Sequence, residues 1–347
     1  MLFLIMFLGV SSKAFLAFNY TQNSDDSIPA MVFYDIFNHG NYLLQDWYLP
    51  SNTYFFTDFP VYAVLGLVMG MGPMTVRLGA IVFFIGISAA FFVVMRRTFG
   101  HKAASWSLAI FLCLPVYVST IYLHTYIRVG TMLFGFVVLY LIRSIALRGD
   151  AGDGNKGMRH IYLHAAVVLL SWLAAFSDPY YIFFLAIPVL ASIFMMRFAG
   201  RALMGWRDEA FLSGGLVAAS LGGLAVQSLL QRVGVFIFRP PSAFIPWERL
   251  PENLSMYFHA LSLIFGFDAF GGGSSVGTTV SAAANLLLLV LACAYFFLLM
   301  RNGMEKWQQF VLVFFLMMTG ILSASIVALE APFAPRSCTA GKSIEPE

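Results

Sequence analysis

Nine apolar stretches, at about residues 1–18, 76–95, 103–123, 129–145, 160–176, 180–196, 210–230, 280–300 and 308–329, each come near the roughly 20 residues that cross the hydrocarbon core of a bilayer. Composition agrees: of 347 residues 60% are hydrophobic and 11% charged, against roughly a quarter charged in soluble domains. The expectation is an all-α polytopic membrane protein with about nine transmembrane helices.

Orientation follows from the basic residues. Twelve of the twenty Lys and Arg fall into four clusters between apolar runs: Arg96, Arg97 and Lys102; Arg143, Arg148, Lys156 and Arg159; Arg197, Arg201 and Arg207; Arg301 and Lys306. Short basic loops stay on the cytoplasmic side. One segment decides whether all four share a side. Residues 56–72, FTDFPVYAVLGLVMGMG, are apolar enough to span but carry Asp58, Pro60 and several glycines. Read as a helix lying along the membrane surface, it puts all four clusters inside together. A second interfacial helix is expected in SIPAMVFYDIFNHG, where Ile28, Met31, Val32, Ile36 and Phe37 recur at helical spacing before a Gly40 stop. The first external loop thus carries two interfacial helices.

Four regions are expected: a transmembrane module over 1–230 with external loop 19–75, an external loop over 231–279, a transmembrane hairpin over 280–330, and a disordered tail over 331–347. The N-terminus lacks the basic start and small-residue cleavage site of a secretory signal and reads as a retained span, in which Lys13 must snorkel or pair. Cys113, Cys293 and Cys338 give no disulfide framework, and the net charge of +3 reflects insertion topology, so no nucleic-acid partner is implied. The expected location is a multi-pass position in a membrane, the bacterial inner or plasma membrane, among its lipids.

Most carboxylates come out external, so acid chemistry is available on that face. Asp25 and Asp26 are adjacent; mutual repulsion can raise the pKa of one of them, leaving a base or metal ligand near neutral pH. The plainer reading makes Asp26 the cap of the following helix. Asp178, in FSDPYY, is either a functional ionisable group at membrane depth or a turn residue at a helix start. His164 reads as a structural histidine, and no His/Cys cluster shows zinc spacing. Among the dense external aromatics, many of them interfacial anchors, Trp47 is a candidate to stack on a flat ligand face.

The ordered series SDDSIPAMVFYDIFNHG, QDWYLP, TDFPVYAVLGLVMG and MTVRLGAIVFFIGISAAFFVVMRRTFGHKAA resembles the N-terminal module of the C-type, lipid-phosphosugar-dependent glycosyltransferases. That group includes protein O-mannosyltransferases and lipid A aminoarabinose transferases, and the similarity covers residues 1 to about 200. The resemblance implies an external-face enzyme that transfers a sugar from a polyprenyl-phosphate donor to a lipid, glycan or protein acceptor. Asp25 or Asp26 matches the catalytic base. A departing phosphate calls for a cation placed in advance. Arg128 in HTYIRVG, beside His124, is the best-placed candidate, with Arg232, Arg239 and Arg249 in the second long loop as others. The chain departs from the pattern at two places. It has no second acid in the turn containing Arg128, so the divalent-metal version of the mechanism lacks support and no metal ligand is assigned. It also has Asp58-Phe59-Pro60 where a Pro-Pro-Leu type run is usual. The alternative functions are a transporter or flippase, in which paired charges belong near the midplane, and a non-catalytic membrane subunit.

Overall fold

A computed structural model describes residues 2–19, 24–49, 53–112, 128–149, 157–238, 245–264 and 303–328. The fold is helical: α1 (Leu2–Asn19), α2 (Ser24–His39), α3 (Phe59–Met69), α4 (Pro73–Phe99), α5 (His101–Leu112), α6 (Val129–Gly149), α7 (Gly157–Ser177), α8 (Ile187–Phe198), α9 (Trp206–Arg232), α10 (Leu250–Ile264) and α11 (Lys306–Ala328). Five of them, α4, α6, α7, α9 and α11, are long and apolar enough to cross a membrane, which by length and composition makes this an α-helical multi-pass protein. The expected span at 280–300 and the tail at 331–347 lie outside the described residues, as does the stretch 103–123 beyond Leu112.

The sixth apolar stretch is interrupted. Pro188 has no N–H to give the carbonyl four residues back, and the preceding turn, Ile182–Ala186, widens into a π-helix before α8 starts. The contested segment resolves as α3, whose 11 residues reach only about 16 Å, half the hydrocarbon core. Gly70 (φ 75°) ends it. The chain then reverses into α4, and α3 lies back along the first turns of α4. There Gly79 is obligatory, since a Cβ at that position would meet the Tyr62 ring at 2.6 Å.

Among the described residues, four apolar clusters hold the helices. The largest joins α6, α7, α8, α9 and α11 through residues such as Ile142, Val167, Leu185, Leu216 and Phe310. A second joins α2, α3, α4 and α6 through Phe33, Tyr62, Phe83 and Val129. A third sits under the first loop, around Val32, Leu44, Leu49, Tyr54, Phe59 and Phe236. The fourth packs α1 on α4 and α5, and Lys13 of α1 is also buried.

The helix ends sort by charge. At one end the Trp307 indole N–H donates to Thr98 Oγ1 (2.9 Å), Arg143 faces Arg97 and Glu305, Arg197 pairs with Glu209, and His160 meets Asp208. Residues from all four basic clusters, or their immediate neighbours, are therefore together. At the opposite end a two-residue parallel pairing, β1 (Tyr48–Leu49) with β2 (Ile237–Phe238), ties the first long loop to the second.

Candidate functional site

The first loop is stitched to the end of α7. Thr53 N–H donates to the Ser177 carbonyl (2.8 Å), and Phe56 N–H donates to the Ser177 hydroxyl (2.9 Å). Phe55 and Phe56 pack on Phe176, whose carbonyl accepts from the Gln227 amide (3.3 Å). That docking brings two Asp-containing turns, Thr57-Asp58-Phe59-Pro60 and Ser177-Asp178-Pro179, to the N-terminus of α6.

Asp178 is 1% exposed and fully engaged. Oδ1 accepts from Arg128 (2.5 Å) and from the Tyr180 backbone N–H (3.0 Å), closing a local turn; Oδ2 accepts from the Thr131 hydroxyl (2.9 Å). Asp178 therefore shapes the turn, as one sequence reading has it, and is also half of a buried ion pair. The Arg128 guanidinium also lies over the Tyr180 ring, 4.2 Å from its centre, and remains a quarter exposed.

Asp58 lies on the other side of the α6 N-terminus and is as buried as Asp178. Its Oδ2 accepts from the Thr57 hydroxyl (2.5 Å), and the Gly130 N–H also bonds the carboxyl. Oδ1 is buried with no hydrogen-bond partner among the described residues. Burial pushes the carboxyl up to about 7; the charge of Asp178 adds to the rise, while the Thr57 and Gly130 bonds oppose it. Asp58 thus changes charge near neutral pH, beside an ion pair.

Only glycine fits at position 130. A Cβ there would stand 2.5 Å from the Thr57 carbonyl oxygen and 2.8 Å from Asp58 Oδ2. Gly130→Ala is expected to destabilise the chain by about 1–3 kcal/mol through overpacking, read as a lower unfolding midpoint in detergent; an unchanged midpoint would remove this contact as a constraint.

Backbone strain concentrates at the same end. The described non-glycine residues with positive φ are Leu44, Asp46, Tyr54 and Arg128, three in the first loop and one at the entry to α6. Such conformations persist where surrounding structure holds them, and functional sites are where they gather.

The other sequence-derived candidates distribute as follows. Asp25 and Asp26 lie in the first turn of α2, which begins at Ser24, so Asp26 is inside the helix and is not its cap. Their side chains lie outside the described part of the structure, and His124 and Arg239 lie outside the described residues. Trp47 is oriented by α2: its indole N–H donates to Asp35 Oδ2 (2.7 Å). That bond and one from Asn41 hold the Asp35 carboxyl below its usual range. Arg128 and Asp178 are brought together directly.

Asp58 was not among the sequence candidates. Its signal was the repeat of Ser/Thr-Asp followed closely by Pro in two segments 120 residues apart. A second group, His160, His164 and Asp208 at the basic end, was also missed, and the spacing of four between the histidines was its signal; no other group of three metal-capable side chains occurs among the described residues. Comparison with family models, curated proteins and solved structures yields no match for this chain.

Proposed function

We propose that the chain is an integral-membrane glycosyltransferase of about nine crossings, working on the face opposite its basic clusters. The positive-inside rule orients that face outward. The donor is a polyprenyl-phosphate sugar and the acceptor is a hydroxyl. Asp25 or Asp26 takes the hydroxyl proton, the oxygen attacks the anomeric carbon, and the bond from that carbon to phosphate oxygen breaks. Polyprenyl phosphate leaves with the electron pair.

The observation that carries the reading is that α2, with both aspartates in its first turn, shares an apolar cluster with Val129, next to Arg128. That packing supports assigning the base and the cation for the leaving phosphate to one packed unit. Asp178 and Tyr180 hold the guanidinium in place before substrate arrives, which is what electrostatic preorganisation requires. Trp47, fixed by Asp35, supplies an aromatic face for a sugar.

The test is sugar transfer by the full chain in proteoliposomes given a labelled short-chain polyprenyl-phosphate sugar. Changing both Asp25 and Asp26 to Asn is expected to lower turnover by about 100-fold, the lower range for losing a general base, with unchanged unfolding behaviour. Equal turnover in the double variant would overturn the assignment of the base, and no transfer by the unaltered chain with any donor would overturn the reading. A second reading, proton-linked transport, draws on Asp58, a buried carboxyl that titrates near neutrality. Solute uptake driven by a pH gradient and abolished by Asp58→Asn would favour it.

A further inference from the structure

We propose that His160, His164 and Asp208 hold a divalent transition-metal ion, zinc by preference, at the basic end of the bundle. This site is remote from the Arg128–Asp178 pair and does not depend on the function proposed for it.

His160 and His164 are one turn apart on α7 and share a face. Asp208 is the third residue of α9. Their ligand atoms form a triangle: His160 Nε2 to Asp208 Oδ1 is 2.9 Å, His160 Nε2 to His164 Nε2 is 3.3 Å, and His164 Nε2 to Asp208 Oδ1 is 4.0 Å. An ion about 2.0–2.1 Å from each atom sets tetrahedral ligand separations of about 3.3 Å. The His160–His164 edge already matches; the two edges to Asp208, one short and one long, even out by a small shift of its carboxylate from His160 toward His164, and that carboxylate is 23% exposed.

Hydrogen bonding alone does not account for the convergence. A neutral imidazole offers one donor and one acceptor nitrogen. If His160 Nε2 carries the proton that Asp208 accepts, it has no lone pair left for His164. The Nε2–Nε2 contact then lacks a proper bond. The Nδ1 atoms of both rings are buried with no partner among the described residues, so the polar contacts of each ring run through Nε2. A metal ion satisfies all three atoms at once.

The frame is rigid where it matters. Helices α7 and α9 run parallel and approach closely through small residues: a Cβ on Gly223 would lie 2.8 Å from Phe176 N, and one on Gly215 would lie 2.7 Å from Val168. Phe211 stands edge-on to the His164 ring, with centroids 5.1 Å apart, and walls one side of the site. Two imidazole nitrogens and one carboxylate suit zinc and its neighbours among the transition metals rather than calcium or magnesium, which prefer all-oxygen shells. Three protein ligands leave one tetrahedral position for water.

The experiment titrates the detergent-purified full chain, made without a polyhistidine tag, with Co²⁺ and then displaces it with Zn²⁺. One equivalent of saturable visible absorption, bleached by zinc, is the expected result. His160→Gln, His164→Gln and Asp208→Asn should each weaken Co²⁺ binding by about 100-fold or more, since even outer-shell changes cost 10–100-fold. His39→Gln, on the distant α2, should bind as the unaltered chain does. Size-exclusion profiles of the three variants establish that they fold. Should a variant fail to fold, the Zn²⁺-dependent rise in unfolding temperature of the unaltered chain, and its loss with His164→Asn, replaces that arm. No saturable absorption in the unaltered chain, or equal binding by folded His164→Gln, would overturn the site.

Discussion

Replacing Asp178 with alanine is expected to lower folding stability by about 3–5 kcal/mol, the usual cost of removing one partner of a buried ion pair. The carboxylate is 1% exposed and accepts from Arg128, Thr131 and Tyr180, so its loss leaves one charge and two neutral donors without their acceptor. Arg128 is a quarter exposed and can turn partly toward solvent, which favours the lower end of the range. A double-mutant cycle isolates the pair. Arg128 has φ 65°, a conformation asparagine tolerates better than most residues, so Arg128→Asn removes the charge with the least added backbone strain. The two changes together should cost less than their sum. Chemical or thermal unfolding in detergent reads the effect, and a loss below about 0.5 kcal/mol for Asp178→Ala would mean the pair contributes nothing beyond an ordinary surface contact.

Asp58 gives the second large effect, with the opposite sign. Its carboxyl titrates at about 7 in the fold and near the ordinary 3.8 when exposed. A folded-state value above the unfolded one means the folded chain holds its proton longer. The stability from the protonated form is complete below about pH 3.8 and is lost as pH rises through 7, by about 4 kcal/mol in total. Asp58→Asn keeps an oxygen for Thr57 and Gly130 and never ionises. The variant should therefore gain stability over the native chain at pH 8, match or fall below it at pH 4.5, and lose most of the pH slope. Unfolding midpoints across that range decide it; parallel curves for the two chains would overturn the assignment.

Much of the helical frame was legible in the sequence, because apolar length and the placement of Arg and Lys are one-dimensional signals. The stretches at 129–145, 160–176 and 210–230 fall within α6, α7 and α9, and the contested segment 56–72 contains the short helix α3. The interruption at Ile182–Ala186 left only Pro188 as a trace, since a widened turn has no composition of its own. The site divides the same way. Asp178 stood out because charge at membrane depth is costly, and Arg128 because the resemblance calls for a cation beside a departing phosphate. Asp58 did not, because its burial depends on the loop 53–58 docking on Ser177, a contact that no local pattern encodes. Two histidines one turn apart were visible on α7, but the aspartate completing the group lies on another helix, and which helices pack together is not written in their periodicity.

The bond from Thr53 to the Ser177 carbonyl spans 124 positions, and β1 finds β2 only once residue 238 has been made. At about 5–20 residues per second, roughly 6–25 s of synthesis separate Asp58 from the turn that buries it. During that interval Phe55 and Phe56 lack the Phe176 ring they pack on, and the cluster around Tyr54 and Phe59 lacks Phe236. The pocket around Asp58 thus closes only after Ser177 and the residues beyond it have been made, so the burial of this carboxyl is a long-range event of folding and not a local one.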